Sequence, residues 1–167
     1  MPWFALYTLS RQEKKASLYL EKQHIVHYLP LVKTLKQWSD RKKWVEEPLF
    51  KSYVFIQADF PSQTFYEATK TPGIAYPVRL EGKPHPIPDE VIEAIQQMIE
   101  NGYRIKLQKI PLKAGTPVEI ISGPLMGMRG EVVSGKGKFK FIIKVNTINT
   151  ALLIDVPQEN LSPLHKK

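Results

Sequence analysis

The order of strand-like and helix-like segments in residues 1–101 is the feature that most constrains the fold. The apolar, aromatic run Trp3–Leu9 predicts a central strand. Ser10-Arg11-Gln12-Glu13 has the spacing of a helix capping box, and apolar residues at helical spacing follow it as far as Gln23. With the segments that follow, the predicted order is β-α-β-β-β-α-β-α. This order predicts an α+β fold, with an antiparallel sheet and helices mainly on one of its faces.

The later segments of this half are bounded by turn-forming residues. Two strand-like runs, Val26–Leu35 and Lys43–Glu47, flank the turn-prone Trp38–Arg41 and predict a protruding hairpin. The run Tyr53–Gln57 is β-branched or aromatic at every position but the last, which favours a strand. A short helix over Ser62–Lys70, a strand over Tyr76–Leu80 and a helix over Asp89–Asn101 complete the series.

Residues 102–167 have a different rhythm. Residues 103–113 lack a clean period and carry basic residues without an acid, so we interpret 102–113 as a linker. Short β-rich runs recur after it, separated by Gly, Ser, Asn or Pro: Val118–Ile121, Gly130–Val133, Phe139–Val145 and Ala151–Val156. These runs predict a small β-barrel over 114–167. The expected domains are therefore 1–101 and 114–167.

The net charge of +8 is divided unevenly between these parts. Residues 1–101 carry 13 Lys and Arg against 12 Asp and Glu, a balance of +1. Residues 102–167 carry 11 against 4, a balance of +7. A basic module is attracted to a phosphate backbone, but a solvated lysine-rich surface has the same composition, and charge alone leaves both interpretations open.

The residue types do not favour catalysis. Cysteine is absent, and the four histidines are scattered without the spacing of a metal site or a catalytic triad. We therefore predict no enzymatic activity, no metal and no cofactor. No leader-like segment or long apolar run is found, so we predict a cytoplasmic protein without a membrane association.

The sharpest local motif is the glycine-rich segment between two predicted strands at residues 121–133. It contains Gly123, Pro124, Gly127 and Gly130, and glycine suits positions of positive φ or of close backbone approach. The spacing alone indicates no more than a tight turn. The run G-P-x-x-G-x-x-G-x-V, however, resembles the KOW motif of small SH3-like barrels in transcription factors and ribosomal proteins.

Several segments of the first half, in the same order, resemble the N-terminal (NGN) domain of the NusG/RfaH family of transcription elongation and antitermination factors. They are Trp3–Thr8, Arg11–Lys15, Tyr28–Pro30, Pro48–Phe50, Tyr53–Phe55, Thr71–Ile74, Val78–Arg79 and Gly82–Pro88. With the KOW motif behind them, the resemblance covers nearly the whole chain. The long basic hairpin at 35–44 is more similar to the specialised paralogues of polysaccharide operons than to general NusG.

The resemblance implies that the first domain binds RNA polymerase. It implies docking on the clamp helices of the β′ subunit through Tyr7, Tyr53 and Phe55, and a bridge to the β subunit that suppresses pausing. Aromatic residues suit such a site because they bury a large area with few rotatable bonds. Taken without the resemblance, the same three residues are more typical of an ordinary core. We expect the protein to act as a monomer.

A second implied surface binds the non-template DNA strand in the transcription bubble. Cations neutralise phosphate and indoles stack on unpaired bases, and the hairpin offers both. The candidate residues are Arg11, Lys14, Lys15, Lys36, Trp38, Arg41, Lys42 and Lys43. The alternative is a solvated hairpin whose tryptophans fold back onto the sheet.

The partner of the second domain is less constrained. In NusG the corresponding module recruits a ribosomal protein or Rho, but here Leu125 replaces a common Phe, and Ile148-Asn149-Thr150 replaces Phe-Gly-Arg. These departures count against ribosome and Rho binding. Two other functions stay open: a KOW-type RNA-binding ribosomal or ribosome-assembly protein, and a general NusG rather than a specialist.

Overall fold

The computed structural model describes residues 1–110, 115–134 and 139–164, and it separates into two compact units. The first unit is Met1–Pro88 and the second is Asp89–Lys167.

The first unit contains a four-stranded antiparallel sheet in the order β2-β5-β1-β6. Its strands and helices are β1 (Trp3–Thr8), α1 (Glu13–Lys22), β2 (His27–Tyr28), β3 (Leu31–Gln37), β4 (Lys42–Pro48), β5 (Tyr53–Gln57), α2 (Gln63–Thr69), β6 (Ile74–Pro77), β7 (Arg79–Leu80) and β8 (Lys83–Pro84). Strands β3 and β4 form a separate two-stranded hairpin, as the sequence predicts, and β7 pairs with β8.

The core of the first unit lies on the face of the sheet that packs against α1 and α2. Alternation along β1 and β5 sends Phe4 and Leu6, and with them Val54 and Ile56, to this face. Leu20 of α1 and Phe65 of α2 pack against them, and both are almost completely buried. The other face of the sheet carries Tyr7, Tyr53 and Phe55.

The start of α1 differs from the capping box that the sequence predicts. Gln12 is the N-cap residue and its side chain makes no capping hydrogen bond. The Glu13 carboxylate instead accepts a hydrogen bond of 3.0 Å from the backbone N–H of Ser52. The prediction of a capping box is therefore wrong. In a capping box the Glu13 carboxylate would accept a hydrogen bond at the start of its own helix, but here it accepts one from Ser52, which is distant in sequence.

The second unit consists of a helix and a six-stranded antiparallel sheet in the order β14-β10-β11-β12-β13-β9. The elements are α3 (Asp89–Glu100), β9 (Lys106–Lys109), β10 (Thr116–Ile120), β11 (Arg129–Ser134), β12 (Phe139–Val145), β13 (Thr150–Val156) and β14 (Leu161–Pro163). The apolar stripe of α3 buries Ile92, Ile95 and Met98. The sheet buries Phe141, Leu152 and Ile154.

Two boundaries differ from the expected domains. The helix α3, expected in the first domain, belongs to the second unit. Within the expected linker 102–113, β9 pairs with β13 with Leu107 opposite Leu152, while residues 111–113 lie outside the described residues. An isolated stretch without a period becomes a strand here because β13 supplies its hydrogen-bonding partners. The α+β fold class that the sequence predicts is confirmed.

Candidate functional site

A cluster of three tyrosines lies on the sheet face of the first unit opposite α1 and α2. Antiparallel pairing places Tyr7 directly across from Tyr53 of β5 on one side and from Tyr76 of β6 on the other. The centroid of the Tyr7 ring is 4.9 Å from that of Tyr53 and 4.8 Å from that of Tyr76. Tyr7 and Tyr53 are half-buried, whereas Tyr76 is 54% exposed. The cluster therefore presents aromatic surface to solvent.

The Tyr53 phenol keeps its proton under ordinary conditions. Burial raises the pKa of Tyr53 above its usual value, and hydrogen bonding and charge interaction with Tyr7 raise this pKa further. A neutral phenol can both donate and accept a hydrogen bond. The cluster thus combines apolar rings with polar groups that suit a polar partner surface.

Phe55 does not share this exposure, although the sequence groups it with Tyr7 and Tyr53. It lies on the same sheet face by alternation but is fully buried. The Phe50 ring, from the loop that precedes β5, packs edge-on against it with centroids 5.7 Å apart. Phe55 therefore belongs to the packed interior and offers no surface for docking.

Tyr76 is the residue of this cluster that sequence reasoning missed. The segment Ile74-Ala75-Tyr76-Pro77 is a short strand, and its position beside β1 depends on pairing. The usable signal was a tyrosine within the predicted strand Tyr76–Leu80. Which sheet face it occupies follows only from the register with Tyr7.

The β3–β4 hairpin places two lysines side by side on one face. Lys36 lies directly opposite Lys43 in the register of the hairpin. Two like charges in this position repel each other. The Glu47 carboxylate, 2.8 Å from the Lys36 ammonium, offsets part of this repulsion. Hydrogen bonding to Lys36 is the main cause that lowers the pKa of Glu47, so the carboxylate stays ionised.

The indoles of the hairpin are accessible. Trp38 at the tip is 45% exposed, and Trp44 of β4 is 64% exposed opposite Leu35. The Arg41 guanidinium lies over the Trp38 ring, 5.7 Å from its centroid. The tip is closed by backbone hydrogen bonds in both directions between Trp38 and Arg41. The tryptophans are thus not folded onto the sheet, and the alternative that buried them does not hold.

The remaining candidate cations lie close to α1. Arg11, in the loop before the helix, and Lys15 are exposed. The Lys14 ammonium donates a hydrogen bond of 2.6 Å to the backbone carbonyl of Glu46. This bond holds the Lys14 side chain against strand β4 of the hairpin. Lys42 and Lys43 are exposed on β4.

The glycine-rich motif of the second unit forms the connection between β10 and β11. Gly123 and Gly127 adopt positive φ angles of 88° and 94°, the conformation that favours glycine. The Gly127 N–H donates to the carbonyl of Ile120 at 2.7 Å, and Pro124 lies between these two glycines. Gly130 has another role, because β12 passes close to its Cα: a Cβ there would lie 2.5 Å from the Ile142 carbonyl oxygen.

We expect Gly130→Ala to destabilise the second unit by about 2 kcal/mol, because the added methyl group overpacks a close strand pair. The measurement is hydrogen exchange of the amides in β11 and β12 of the full chain, which should speed up. Ser134→Ala, an exposed change at the end of the same strand, is the control and should shift exchange by less than about 0.5 kcal/mol. Equal effects of both substitutions would contradict the close approach.

The lysines of β12 have partners within the sheet. The Lys140 ammonium is 3.1 Å from the Asp155 carboxylate, and the Lys144 ammonium is 2.9 Å from that of Glu131. Exposed ion pairs of this kind are typical of a strand with one face in solvent.

In the described ranges 1–110, 115–134 and 139–164, no three His, Cys, Asp or Glu side chains group as metal ligands. No helix in the same ranges is long and apolar enough to cross a membrane.

The structure defines an α+β protein whose first unit carries an aromatic cluster and a cationic hairpin. The family model described as "Transcription termination factor nusG" matches residues 1–96. The chain belongs to the NusG family.

Individual relatives agree with this membership. The "Transcription termination/antitermination protein NusG" of Thermus thermophilus is 28% identical over 177 residues, covering 93% of this chain and 96% of the relative. The protein of the same name from Streptococcus pyogenes serotype M3 is 27% identical over 169 residues, covering 93% of each chain. The solved structure titled "Domain interaction in Thermotoga maritima NusG" has a TM-score of 0.51 and 20% identity, covering 98% of this chain and 97% of that one. This last likeness shows the fold.

Proposed function

We propose that this protein is a non-catalytic transcription elongation and antitermination factor that docks on RNA polymerase. The observation that carries the proposal is the partly exposed tyrosine cluster of Tyr7, Tyr53 and Tyr76 on a chain of the NusG family. Its relatives bear names that include transcription termination and antitermination. An aromatic patch held by a sheet suits a protein partner, since it loses little conformational entropy on binding.

The proposed partner of the tyrosine cluster is the pair of clamp helices of the polymerase β′ subunit. Side chains on a helix pair present both apolar and polar groups, and neutral phenols bind both. A factor that also reaches the β subunit across the DNA channel holds the clamp shut and suppresses pausing. It acts by binding energy alone, as a cytoplasmic monomer that reaches the nucleoid through the polymerase.

The proposed partner of the hairpin is the non-template DNA strand. The direct opposition of Lys36 and Lys43 is unfavourable in the free protein and is relieved when a phosphate lies between them. Trp38 and Trp44 are exposed and can stack on unpaired bases. Arg11, Lys14 and Lys15 extend the cationic surface from the side of α1.

We expect the triple variant Arg41→Gln, Lys42→Gln, Lys43→Gln to weaken binding of single-stranded DNA more than tenfold. Each lost phosphate contact lowers the slope of log affinity against log salt by about 0.7 for a single strand, so the slope should fall by up to about 2. The measurement is fluorescence anisotropy of the full chain with a labelled oligonucleotide. The control removes the same charge elsewhere in the first unit, through Lys22→Gln, Lys70→Gln and Lys83→Gln. If both triple variants behave alike, the hairpin has no special role.

The departures from the family pattern at Leu125 and at Ile148-Asn149-Thr150 count against a ribosome or Rho contact of the second unit. Leu125 and Ile148 are 3% and 5% exposed, so neither offers surface to such a partner. We therefore assign no ribosome or Rho contact. The long basic hairpin favours action on selected operons rather than on all genes.

The test of the proposal is affinity purification of the full chain from cells, followed by chromatin occupancy mapping. We expect polymerase subunits including β′ to co-purify, and occupancy to concentrate on a few operons. Recovery of ribosomal subunits without β′ would instead identify an RNA-binding ribosomal or assembly protein and would overturn the proposal. Occupancy across all transcribed genes would identify a general factor.

A further inference from the structure

The strand β9 lies at one edge of the sheet in the second unit. It pairs with β13 on one side, and no strand of the described residues pairs with its other side. The sequence predicts a linker at this position and gives the segment no partner. The tyrosine cluster and the hairpin belong to the first unit, so this edge is part of neither surface.

The backbone groups of two β9 residues point away from β13. In an antiparallel pair, opposite residues alternate between those that exchange hydrogen bonds and those that do not. The Ile110 N–H donates to the carbonyl of Asn149 at 3.1 Å, which makes this pair the bonded type. Along the register Gln108 is of the bonded type as well, whereas Leu107 and Lys109 are not. The N–H and C=O groups of Leu107 and Lys109 are therefore directed toward the open side of the edge.

The opposite edge of the described sheet offers less to an incoming strand. It is formed by β14, whose three residues include Pro163, and proline has no N–H to donate. Proteins often blunt a sheet edge in this way. No proline lies in β9, which therefore keeps its backbone donors.

Two exposed lysines determine which strand can join β9. Lys106 and Lys109 lie on opposite faces of the strand by alternation, and no salt bridge in the described part of the chain involves either of them. Lysine on an edge keeps a protein from pairing with copies of itself, because like charges repel. The same charges attract a strand that carries acidic residues.

We propose that β9 is a docking edge, to which an acidic, extended peptide segment of a protein partner adds as a further strand. Hydrogen bonds to the backbone of Leu107 and Lys109 supply affinity, and the lysines select acidic side chains. An antiparallel strand matches the described pairs of this sheet, which are all antiparallel. Its acidic residues lie opposite Lys106 and Lys109, with an apolar residue opposite the half-buried Leu107.

The test uses the labelled peptide acetyl-Thr-Glu-Thr-Val-Glu-Thr-amide, whose Glu-Thr-Val-Glu core fits this register. Its affinity for the full chain is measured by fluorescence anisotropy. N-methylation of the valine should weaken binding about tenfold or more, because it removes a donor that faces Leu107. N-methylation of the central threonine, whose N–H points away from β9, is the matched control and should change the affinity less than about twofold. The unmethylated peptide should also slow the exchange of the Leu107 and Lys109 amides with solvent.

Substitutions in the chain test the contribution of the charges. We expect the double variant Lys106→Gln, Lys109→Gln to weaken peptide binding about fivefold at low salt, as the loss of two exposed ion pairs predicts. Lys70→Gln with Lys83→Gln removes two exposed charges of the first unit and should leave the affinity unchanged. A peptide with lysine in place of both glutamates should not bind.

Three results overturn the inference. Equal affinities of the two N-methylated peptides would exclude strand addition, and equal affinities of the glutamate and lysine peptides would exclude selection of acidic residues. Absence of peptide binding overturns it as well. If labelled oligouridine then binds and loses affinity in the Lys106 and Lys109 variant, the edge is a surface for RNA phosphates. The docking and DNA-binding proposals for the first unit depend on other residues and stand whichever result is found.

Discussion

Phe55→Ala is expected to lower the free energy of unfolding of the first unit by about 3–5 kcal/mol, the usual cost of deleting a buried aromatic ring. Phe55 is fully buried and meets the Phe50 ring edge-on, so the substitution leaves a cavity in the interior of the first unit. Urea denaturation followed by tryptophan fluorescence measures this loss, because Trp3, Trp38 and Trp44 all lie in the first unit.

Tyr76→Ala is the matched control for this stability measurement. The Tyr76 side chain lies in the same cluster but is 54% exposed, so its removal should cost less than about 1 kcal/mol. A similar small loss for Phe55→Ala would show that Phe55 is accessible, and the residue would return to the candidate docking surface. A large loss assigns it to packing.

The contrast between Phe55 and its neighbours shows what strand periodicity can predict. The family resemblance groups Tyr7, Tyr53 and Phe55, and the pairing of β1 with β5 puts Tyr7 beside Tyr53. Alternation along β5 places Tyr53 and Phe55 on the same face of the sheet. It cannot predict which of them is covered, because Phe50 covers Phe55 from a loop whose path depends on the fold. Tyr76 was missed for the same reason, since its place beside Tyr7 depends on which strands pair.

Local motifs succeeded where no distant group competed for them. The turn at Trp38–Arg41 closes as its residues predict. The helix predicted over Ser62–Lys70 forms as α2, with Ser62 as its N-cap residue accepting the N–H of Phe65. The capping box at Ser10–Glu13 failed because Ser52, 39 residues away, occupies the Glu13 carboxylate. A long-range hydrogen bond therefore overrode the local pattern at the start of α1.

The sequence predicts a linker where β9 forms, for a related reason. Its residues Lys106–Lys109 have one half-buried position, Leu107, and otherwise face solvent, so they carry no strand signal of their own. Pairing with β13, whose Ala151 and Leu152 are fully buried, supplies the hydrogen bonds that order them. The lysines of β9 therefore indicate that the segment faces solvent, but they do not predict that it forms a strand.

Tyr76→Ala is expected to weaken binding to core RNA polymerase about thirtyfold, since truncation of an interface tyrosine in a hot spot costs 2 kcal/mol or more. The residue is exposed enough that the fold should survive, and its ring lies 4.8 Å from that of Tyr7 at the centre of the cluster. Biolayer interferometry with immobilised full-length protein and purified polymerase measures the change.

Tyr66→Ala is the matched control for the polymerase measurement. Tyr66 is 50% exposed on α2, and its ring contacts that of Phe65. Phe65 packs in the core on the sheet face opposite the tyrosine cluster, so Tyr66 lies away from the cluster. Tyr76→Phe should keep most of the affinity if the ring provides the binding energy, and lose it if the phenol does. Equal losses for Tyr66→Ala and Tyr76→Ala would mean that polymerase does not single out this face. The docking proposal would then have to be abandoned, while the DNA-binding role of the hairpin would stand on its own measurement.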